Sequence, residues 1–391
     1  TITMGDNVLI NDAVVKSLWA GAKVTAVVGD HIEVNAIIQI NAVWDEDDLG
    51  AELASWAGVD LNEMFNIASF ERTDDGGTTG PQAASDQFPT FWSVTEITGD
   101  LIVTNWIEQY VFMSDQDVGI VSASGGEATI VGGGNTGINH VSLAEIGFGY
   151  DLIVIGGSVY DASIIEQINV LFDSDRIDGV GGFGTNGSGS ASSSGNLLWN
   201  EATIYNMGGA DRFADLPADY LDAALSMANG DADLSPTILN DPAFAGLVGL
   251  RVLYISGDLI NLQYIRQTNI LGDDDQIALA MDRLLPNADA NFTVQTGGNV
   301  LINNAAILDL DAFGQTYVGG EHYSQETLIQ AGFVSSHPDL GGQDPAFLAN
   351  EAVLFLDDSM LDGDTGPEPG VYVPADHGQG QDDGLQTILA H

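Results

Sequence analysis

The chain has 391 residues, with 57 Asp plus Glu, 8 Lys plus Arg, no cysteine and a formal net charge of −49. Nucleic acid and anionic membrane surfaces are excluded as partners, because Lys16, Lys23, Arg72, Arg176, Arg212, Arg251, Arg266 and Arg283 are scattered singly. The 45% hydrophobic content is that of a packed domain rather than a disordered chain, and without disulfides stability must come from packing, hydrogen-bond ladders or metal. Forty-eight glycines against 11 prolines suggest many tight turns between strands. The opening TITMGDNVLIND has neither a basic stretch nor an apolar core, so no N-terminal export signal is expected. The most apolar run, AGLVGLRVLYI, is interrupted by Arg251 and is too short to span a bilayer.

In chain order, the first element is NVLINDAVV at Asn7, followed by GDHIEVNAIIQINAVWDED from Gly29 to Asp47. The second motif recurs without gaps from Gly99 to Asp117, from Gly157 to Asp175 and from Gly257 to Asp275. Each copy carries Gly, then Ile (Ile37, Ile107, Ile165, Ile265), then Gln (Gln39, Gln109, Gln167, Gln267), then two acids. A fifth copy from Gly320 to Gln330 has Ser336 and Pro338 where the acids should be. The first motif reads Asn, three residues, Asn, and recurs at Asn135/Asn139, Asn196/Asn200 and Asn299/Asn303. Ahead of Gly99 it is missing or eroded. Asn7 to Gly29 and Asn135 to Gly157 both span 22 residues, and Asn299 to Gly320 spans 21. The two motifs thus form one compound unit of roughly 40 residues, in the size range of stacking repeats.

Three segments depart from this unit. Residues 47–65 place Leu53, Trp56, Leu61 and Phe65 at roughly helical spacing, which predicts a short amphipathic excursion. Residues 208–250 contain LPADYLDAALSMANG, with Asp215 as the expected N-cap, Pro217 early and Gly230 as the stop. That insertion ends in DPAFAGLVGLRVLYIS, echoed by DPAFLANEAVLFLDD at Asp344. Residues 358–391 form an acidic, Pro/Gly-rich tail ending in the apolar LQTILAH.

Within the units the apolar period is two and Ile and Val dominate, which is strand-turn-strand chemistry. The fold expected is mainly β: a parallel β-solenoid over residues 1–345, each coil stacking on the last, with a capping or tail segment over 346–391. An antiparallel sandwich or barrel is the runner-up, but its strands need no identical motifs at identical spacing. Stacked coils would bring Gln39, Gln109, Gln167, Gln267 and Gln330 within about 4.8 Å of one another as an amide ladder. Buried amides there must be paired, since an orphan costs about 1–3 kcal/mol.

The acids at Asp45, Asp47, Asp115, Asp117, Asp173, Asp175, Asp273 and Asp275 would stack in the same way. Carboxylates about 5 Å apart repel by ~3 kcal/mol at an effective dielectric of 20. A divalent cation reverses that sign, and oxygen-only ligands in flexible turns select calcium. Solvated turn acids are the alternative. No catalytic constellation stands out: His31, His140, His322, His337, His377 and His391 have no metal-ligand spacing, and HExxH, GxSxG and the P-loop are absent. A β-solenoid polysaccharide lyase would need basic clamps that this chain lacks. Trp106 and Trp199 offer rings for sugars, but both lie within strand motifs and read as core or ladder residues.

With GDLIVTNWIEQ- and NVLINNAAI-like units and this composition, the chain resembles the acidic, cysteine-free repeat surface proteins that Gram-negative bacteria export by type I secretion. The resemblance covers about residues 5–339. It implies secretion to the cell surface, an uncleaved C-terminal signal where DDGLQTILAH stands, and folding on meeting calcium. The calcium nonapeptide of that group is not present; GGFGTNGSG at Gly181 lacks its Asp. The function expected is a non-enzymatic, self-assembling subunit of an extracellular fibre, layer or biofilm matrix, joined head-to-tail through the tail 358–391. The motif beginning bare at Asn7 would supply the receiving end. A glycan-binding adhesin or phage-type tail spike is the alternative.

Overall fold

Residues in equivalent positions of the repeats lie side by side on parallel strands, one strand from each copy. The computed structural model describes residues 1–335 except 19–21, 57–61, 74–86, 124–128, 147–148, 181–182, 184–186, 194, 209–211, 282–290 and 310–313. The echo at Asp344, the tail 346–391 and its terminal LQTILAH lie outside the described residues. The described chain is mainly β and forms five sheets in which every pairing is parallel.

The sheet built from the Gly–Gln motif has the order His322–Ser335, His31–Asp45, Val159–Asp173, Leu259–Asp273, Leu101–Asp115. The Asn motif builds a second: Thr136–Ile146, Val8–Leu18, Val300–Asp309, Leu197–Met207, Glu63–Thr73. We call these the glutamine sheet and the asparagine sheet. They pack face to face through Ala13, Val15, Ile37, Ile165, Ile204, Ile265 and Ile307, all buried. The isoleucine two residues before each Gln is therefore the core residue that fixes which face turns inward. Alternation does the rest, since a one-residue slip would send every one of these isoleucines to solvent.

Three smaller sheets complete the body. Ile130–Val131, Ile2–Thr3, Phe292–Gln295 and Gly189–Ser192 precede the asparagine sheet; Asp48–Leu49, Arg176–Gly179, Gln276–Met281 and Val118–Ala123 follow the glutamine sheet. These two pack on each other through Ile2, Met4, Ile177, Ile277 and Val294. A six-stranded sheet containing Val24–Val27, Leu152–Ile155 and Gly249–Ile255 joins the two halves of each unit.

Neighbouring strands are not consecutive copies. In the glutamine sheet the copies run fifth, first, third, fourth, second by their place in the sequence, whereas in the asparagine sheet the unit containing Thr136 lies beside that of Val8 at the other extreme. The expected stacking of each coil on the one before it is replaced by this interleaved order. Its physical basis is that near-identical motifs pair in register equally well with any other copy, so the connecting segments and the imperfect copies decide the neighbours. The two edge strands are the second and fifth copies, the two that carry Val111 and Gly332 where the others carry Asn41, Asn169 and Asn269.

The insertion is helical. Ala218–Ala228 starts after Pro217, which sits at φ −65° and ψ 146° as N-cap without a side-chain cap bond. Asp215, the expected cap, instead ends the strand Phe213–Asp215. The strand takes it because its backbone is committed to pairing with Val318. Gly230 at φ +82° stops the helix as expected. Ser235 caps Pro236–Leu239, and Asp241 accepts the Ala243 N–H at 2.8 Å to start the 3₁₀ turn Pro242–Phe244. Tyr220, Met227, Ile238 and Phe244 bury against Val24, Val154, Val252 and Tyr254 of the six-stranded sheet. In the first departing segment, Ala51–Trp56 is a 3₁₀ helix with Leu53 fully buried. Leu61 lies outside the described residues, and Phe65 belongs to the strand Glu63–Thr73 rather than to an excursion.

Candidate functional site

The glutamines form an unbroken amide column across the whole glutamine sheet. Gln330 Nε2 donates to Gln39 Oε1 at 2.7 Å, Gln39 to Gln167 at 2.9 Å, Gln167 to Gln267 at 2.9 Å, and Gln267 to Gln109 at 2.8 Å. The second proton of each goes to a carbonyl of the facing asparagine sheet: Ile67 O at 2.7 Å, Glu201 O at 2.8 Å and Asn304 O at 2.8 Å for the three interior glutamines. Gln39, Gln167 and Gln267 are fully buried, and each is paired on every side. Parallel, in-register strands put identical side chains one strand spacing apart, the distance an amide needs to bond its own copy.

A second column runs through the asparagine sheet, Asn139 to Asn11 at 2.9 Å, Asn11 to Asn303 at 2.9 Å, Asn303 to Asn200 at 3.0 Å and Asn200 to Asn66 at 2.9 Å. It is laced to a third, formed by Asn41, Asn169 and Asn269 two residues beyond the glutamines. Bonds of 3.0 Å zigzag between the sheets from Asn11 through Asn269, Asn303, Asn169, Asn200 and Asn41 to Asn66. Sequence reasoning missed this third column, although the Asn stands at the same place in three of the four full motifs. It also missed Asn62 and Asn66, which are the Asn motif thought absent ahead of Gly99. A longer connection to Gly99 hides them, but Asn66 pairs with Asn200 in register.

The aspartates stand at one border of the glutamine sheet in two columns. Asp45, Asp173, Asp273 and Asp115 are register partners at the strand ends. Asn196 Nδ2 reaches Asp173 at 2.6 Å, Asn299 reaches Asp273 at 2.7 Å, Asn135 reaches Asp115 at 3.0 Å, and Asn62 binds Asp45. In the second column each carboxylate accepts the backbone N–H of the next acid: Asp175 to Asp47 at 3.1 Å, Asp275 to Asp175 at 2.9 Å, Asp117 to Asp275 at 2.9 Å. The first asparagine of four Asn motifs, Asn62, Asn135, Asn196 and Asn299, is thus the clamp for the first acid of each pair, whereas Asn7 accepts the Asn135 N–H at 3.0 Å and its Nδ2 has no hydrogen-bond partner.

These bonds leave one buried oxygen without a hydrogen-bond partner on each of Asp173, Asp175, Asp273, Asp275 and Asp117. Oxygens of Asp47, Asp173 and Asp175 all lie within 4.8 Å of one another. Burial, followed by hydrogen bonding and charge from Asp45, pushes Asp47 up to about 7. Burial is again the main cause at Asp175, pushed up to about 8, at Asp273, up to about 7, and at Asp275, up to about 6. Asp173 rises well above the carboxylate range through burial and the charges of Asp175, Asp47 and Asp273. Arg176, the nearest cation in the sequence, bonds Asp178 at 2.6 Å and lies 3.8 Å from Asp48, so it does not serve these columns. All eight predicted acids stand in these two columns, and among the described residues Asp47, Asp173 and Asp175 are the ones whose oxygens converge.

Elsewhere the chemistry is sparse. His31 is buried against Phe213 and His322 and is pushed down to about 4 by burial and then by Arg212. Beside it, buried Glu33 takes an ion pair from Arg72, lies 3.7 Å from Arg212 and accepts from Asn35 and Asn206 at 3.0 Å each. This concentration of two of the chain's few cations on one carboxylate had no signal in the sequence. Trp106, read as a core or ladder residue, is 44% exposed and packs on Tyr264 with ring centroids 4.2 Å apart. The motif at Asn7 does not start a bare end: Val8–Leu18 is covered on one side by Thr136–Ile146 and on the other by Val300–Asp309. Among the described residues, no helix is long and apolar enough to cross a membrane. No family model, curated protein or solved structure matches the chain.

Proposed function

We propose that this chain is a non-enzymatic structural protein, a parallel β-solenoid that serves outside the cell as the self-assembling subunit of a fibre, surface layer or matrix. The observation that carries the reading is the set of side-chain columns running unbroken from one sheet edge to the other. Catalytic pockets need convergent groups around a space for substrate; here the interior between the two large sheets is filled by apolar side chains and by amides that bond one another. Such filling gives rigidity along the stacking direction, which is the property a load-bearing or lattice-forming subunit requires. The test is negative-stain electron microscopy with sedimentation velocity over 0.05–1 M NaCl, a range set by the screening length of roughly 10 Å at 0.1 M. Assemblies that grow with salt support the reading, and a monomer at every salt and protein concentration overturns it.

Calcium is part of this proposal. The unpartnered oxygens of Asp173, Asp175, Asp273 and Asp275 are hard and buried, the donor set that calcium takes once it displaces their protons. Asp45, Asp47, Asp115 and Asp117 complete the columns. A rise in melting temperature on adding calcium after chelation, lost in Asp173→Asn with Asp175→Asn, supports it. A second reading, a glycan-binding surface, is favoured by the exposed Trp106 ring, packed on the half-buried Tyr264, since aromatic faces stack on sugar rings. Quenching of tryptophan fluorescence by an oligosaccharide panel, lost in Trp106→Ala, is its test.

A further inference from the structure

We infer that the two ends of the strand stack are complementary, and that a second copy docks by simple translation, its His322–Ser335 edge on the Leu101–Asp115 edge of the first. The inference rests on the self-assembly proposed above and specifies its interface. At one end of the body stand the edge strands Leu101–Asp115 and Thr136–Ile146, joined by the bond from Asn139 Nδ2 to Tyr110 O at 3.0 Å. At the other end stand His322–Ser335 and Glu63–Thr73, joined by Asn66 Nδ2 to Ala331 O at 2.9 Å. Both glutamine-sheet edges are long, 15 and 14 residues, and carry no partner strand among the described residues. Long bare edges invite another chain.

Polarity decides which chain. In the glutamine column every amide donates in the same direction, from Gln330 toward Gln109. The column therefore ends with an acceptor, Gln330 Oε1, at one end, and with a spare N–H of Gln109 at the other, where Nε2 bonds only Asp12 O at 3.0 Å. The asparagine column runs the opposite way along the stack, from Asn139 to Asn66. It leaves an acceptor, Asn139 Oδ1, beside the donor Gln109, and a donor, Asn66 Nδ2, beside the acceptor Gln330. A translated copy matches both at once: Gln109 donates to Gln330, and Asn66 donates to Asn139. A two-fold dimer of like ends would set donor against donor in antiparallel strands, so the ends select a non-closing, head-to-tail contact.

Side chains agree with that register. Continuing the pairing of the sheet sets Ile102 beside Tyr323, Ile107 beside Leu328 and Phe112 beside Phe333. Phe112 and Phe333 are 63% and 42% exposed in the single chain. In the asparagine sheet, Ile138 falls beside Phe65, both exposed. Apolar residues meet apolar residues at each of these positions, and burial on docking supplies the driving force that the net charge opposes.

The test uses full-length chains carrying one blocked end each, Phe112→Asp and Phe333→Asp, both at exposed positions, with circular dichroism and melting curves to verify folding. In 0.5 M NaCl, a concentration at which screening falls to a few Å (about 3 Å at 1 M), wild type is expected to form open-ended assemblies. Each variant alone should remain a monomer by light scattering, and an equimolar mixture should stop at twice the subunit mass. Dimers formed by either variant alone, or assemblies that persist in both, overturn the translational interface while leaving the structural role intact. A wild type that stays monomeric overturns both.

Discussion

Replacing Gln267 with leucine removes a side chain bonded on three sides in the buried amide column. The change strands one Nε2 proton of Gln167, the Oε1 of Gln109 and the carbonyl of Asn304, which now bond Gln267 at 2.9, 2.8 and 2.8 Å. At about 1–3 kcal/mol for each buried orphan, the sum is roughly 3–9 kcal/mol. Local relaxation and the added apolar surface of leucine return part of it, so a loss of about 3–5 kcal/mol is expected. Gln330→Leu is the matched control. It strands one buried acceptor, Gln39 Oε1, and leaves Asn66 O at the edge, where water replaces the lost amide, so the cost should be that of a single orphan, about 1–3 kcal/mol and clearly below that of Gln267→Leu. Urea unfolding followed by intrinsic fluorescence measures both. The double variant Gln167→Leu with Gln267→Leu should cost less than the two single changes added together, because they share one bond. Equal losses at Gln267 and Gln330, or strict additivity in the double variant, would refute the column as a source of stability.

Asn303→Ala should be among the costliest asparagine changes, at about 3–5 kcal/mol, since it breaks bonds to Asn200, Asn169 and Ile168 O and orphans donors on Asn11 and Asn269; exposed Asn304→Ala should cost under about 1 kcal/mol in the same urea assay. In chelator, the melting temperature should fall as pH rises from about 4 to about 8. Asp47, Asp175, Asp273 and Asp275 hold protons in the folded chain above the pH at which the unfolded chain has released them, so the folded state binds more protons across that window and loses stability through it. The groups facing them are Asn196, Asn299, Ser193, Thr296 and the acids themselves, none of which supplies a positive charge. A melting temperature flat over that range would contradict it. Asp175→Asn should raise the melting temperature at pH 8 in chelator, by removing a buried charge, and lower the gain on adding calcium; a loss of stability in chelator would count against the reading.

The register of the large sheets was legible because four gapless motifs carried glutamine at one position, and parallel pairing is the arrangement that lets equal positions meet. The alignment of all eight aspartates followed from the same register. Which copies become neighbours was not legible, because interchangeable motifs carry no information about order; only Val111 and Gly332, standing where Asn41, Asn169 and Asn269 stand in the other copies, mark the edge strands. Residues 47–65 were legible in their first half, where Leu53 and Trp56 lie in the 3₁₀ helix Ala51–Trp56, but Phe65 fits the helical spacing by coincidence, since NEMFN already carried the Asn motif that makes Glu63–Thr73 a strand. Asp215 misled because a preferred capping residue competes with strand pairing, and pairing won. The cluster around Glu33 had no precursor in the sequence at all, since Arg72 and Arg212 lie far from it along the chain and meet it only through the sheets.

The interleaved order of the strands sets the route by which this chain can fold. In an ordinary repeat array each unit needs only its neighbour, and structure spreads from any point. Here Val8–Leu18 lies between strands that begin at Thr136 and Val300, and the bond from the Asn7 N–H to Asn299 closes a loop of 292 residues. No large sheet reaches its full set of strands until nearly the whole described chain is present. Contacts of such separation fold slowly, and growth unit by unit from the N-terminus is closed to the chain. Losing the last unit would take Val300–Asp309, the central strand of the asparagine sheet, rather than trim one end. The described body is built of repeats, yet none of them can be removed singly.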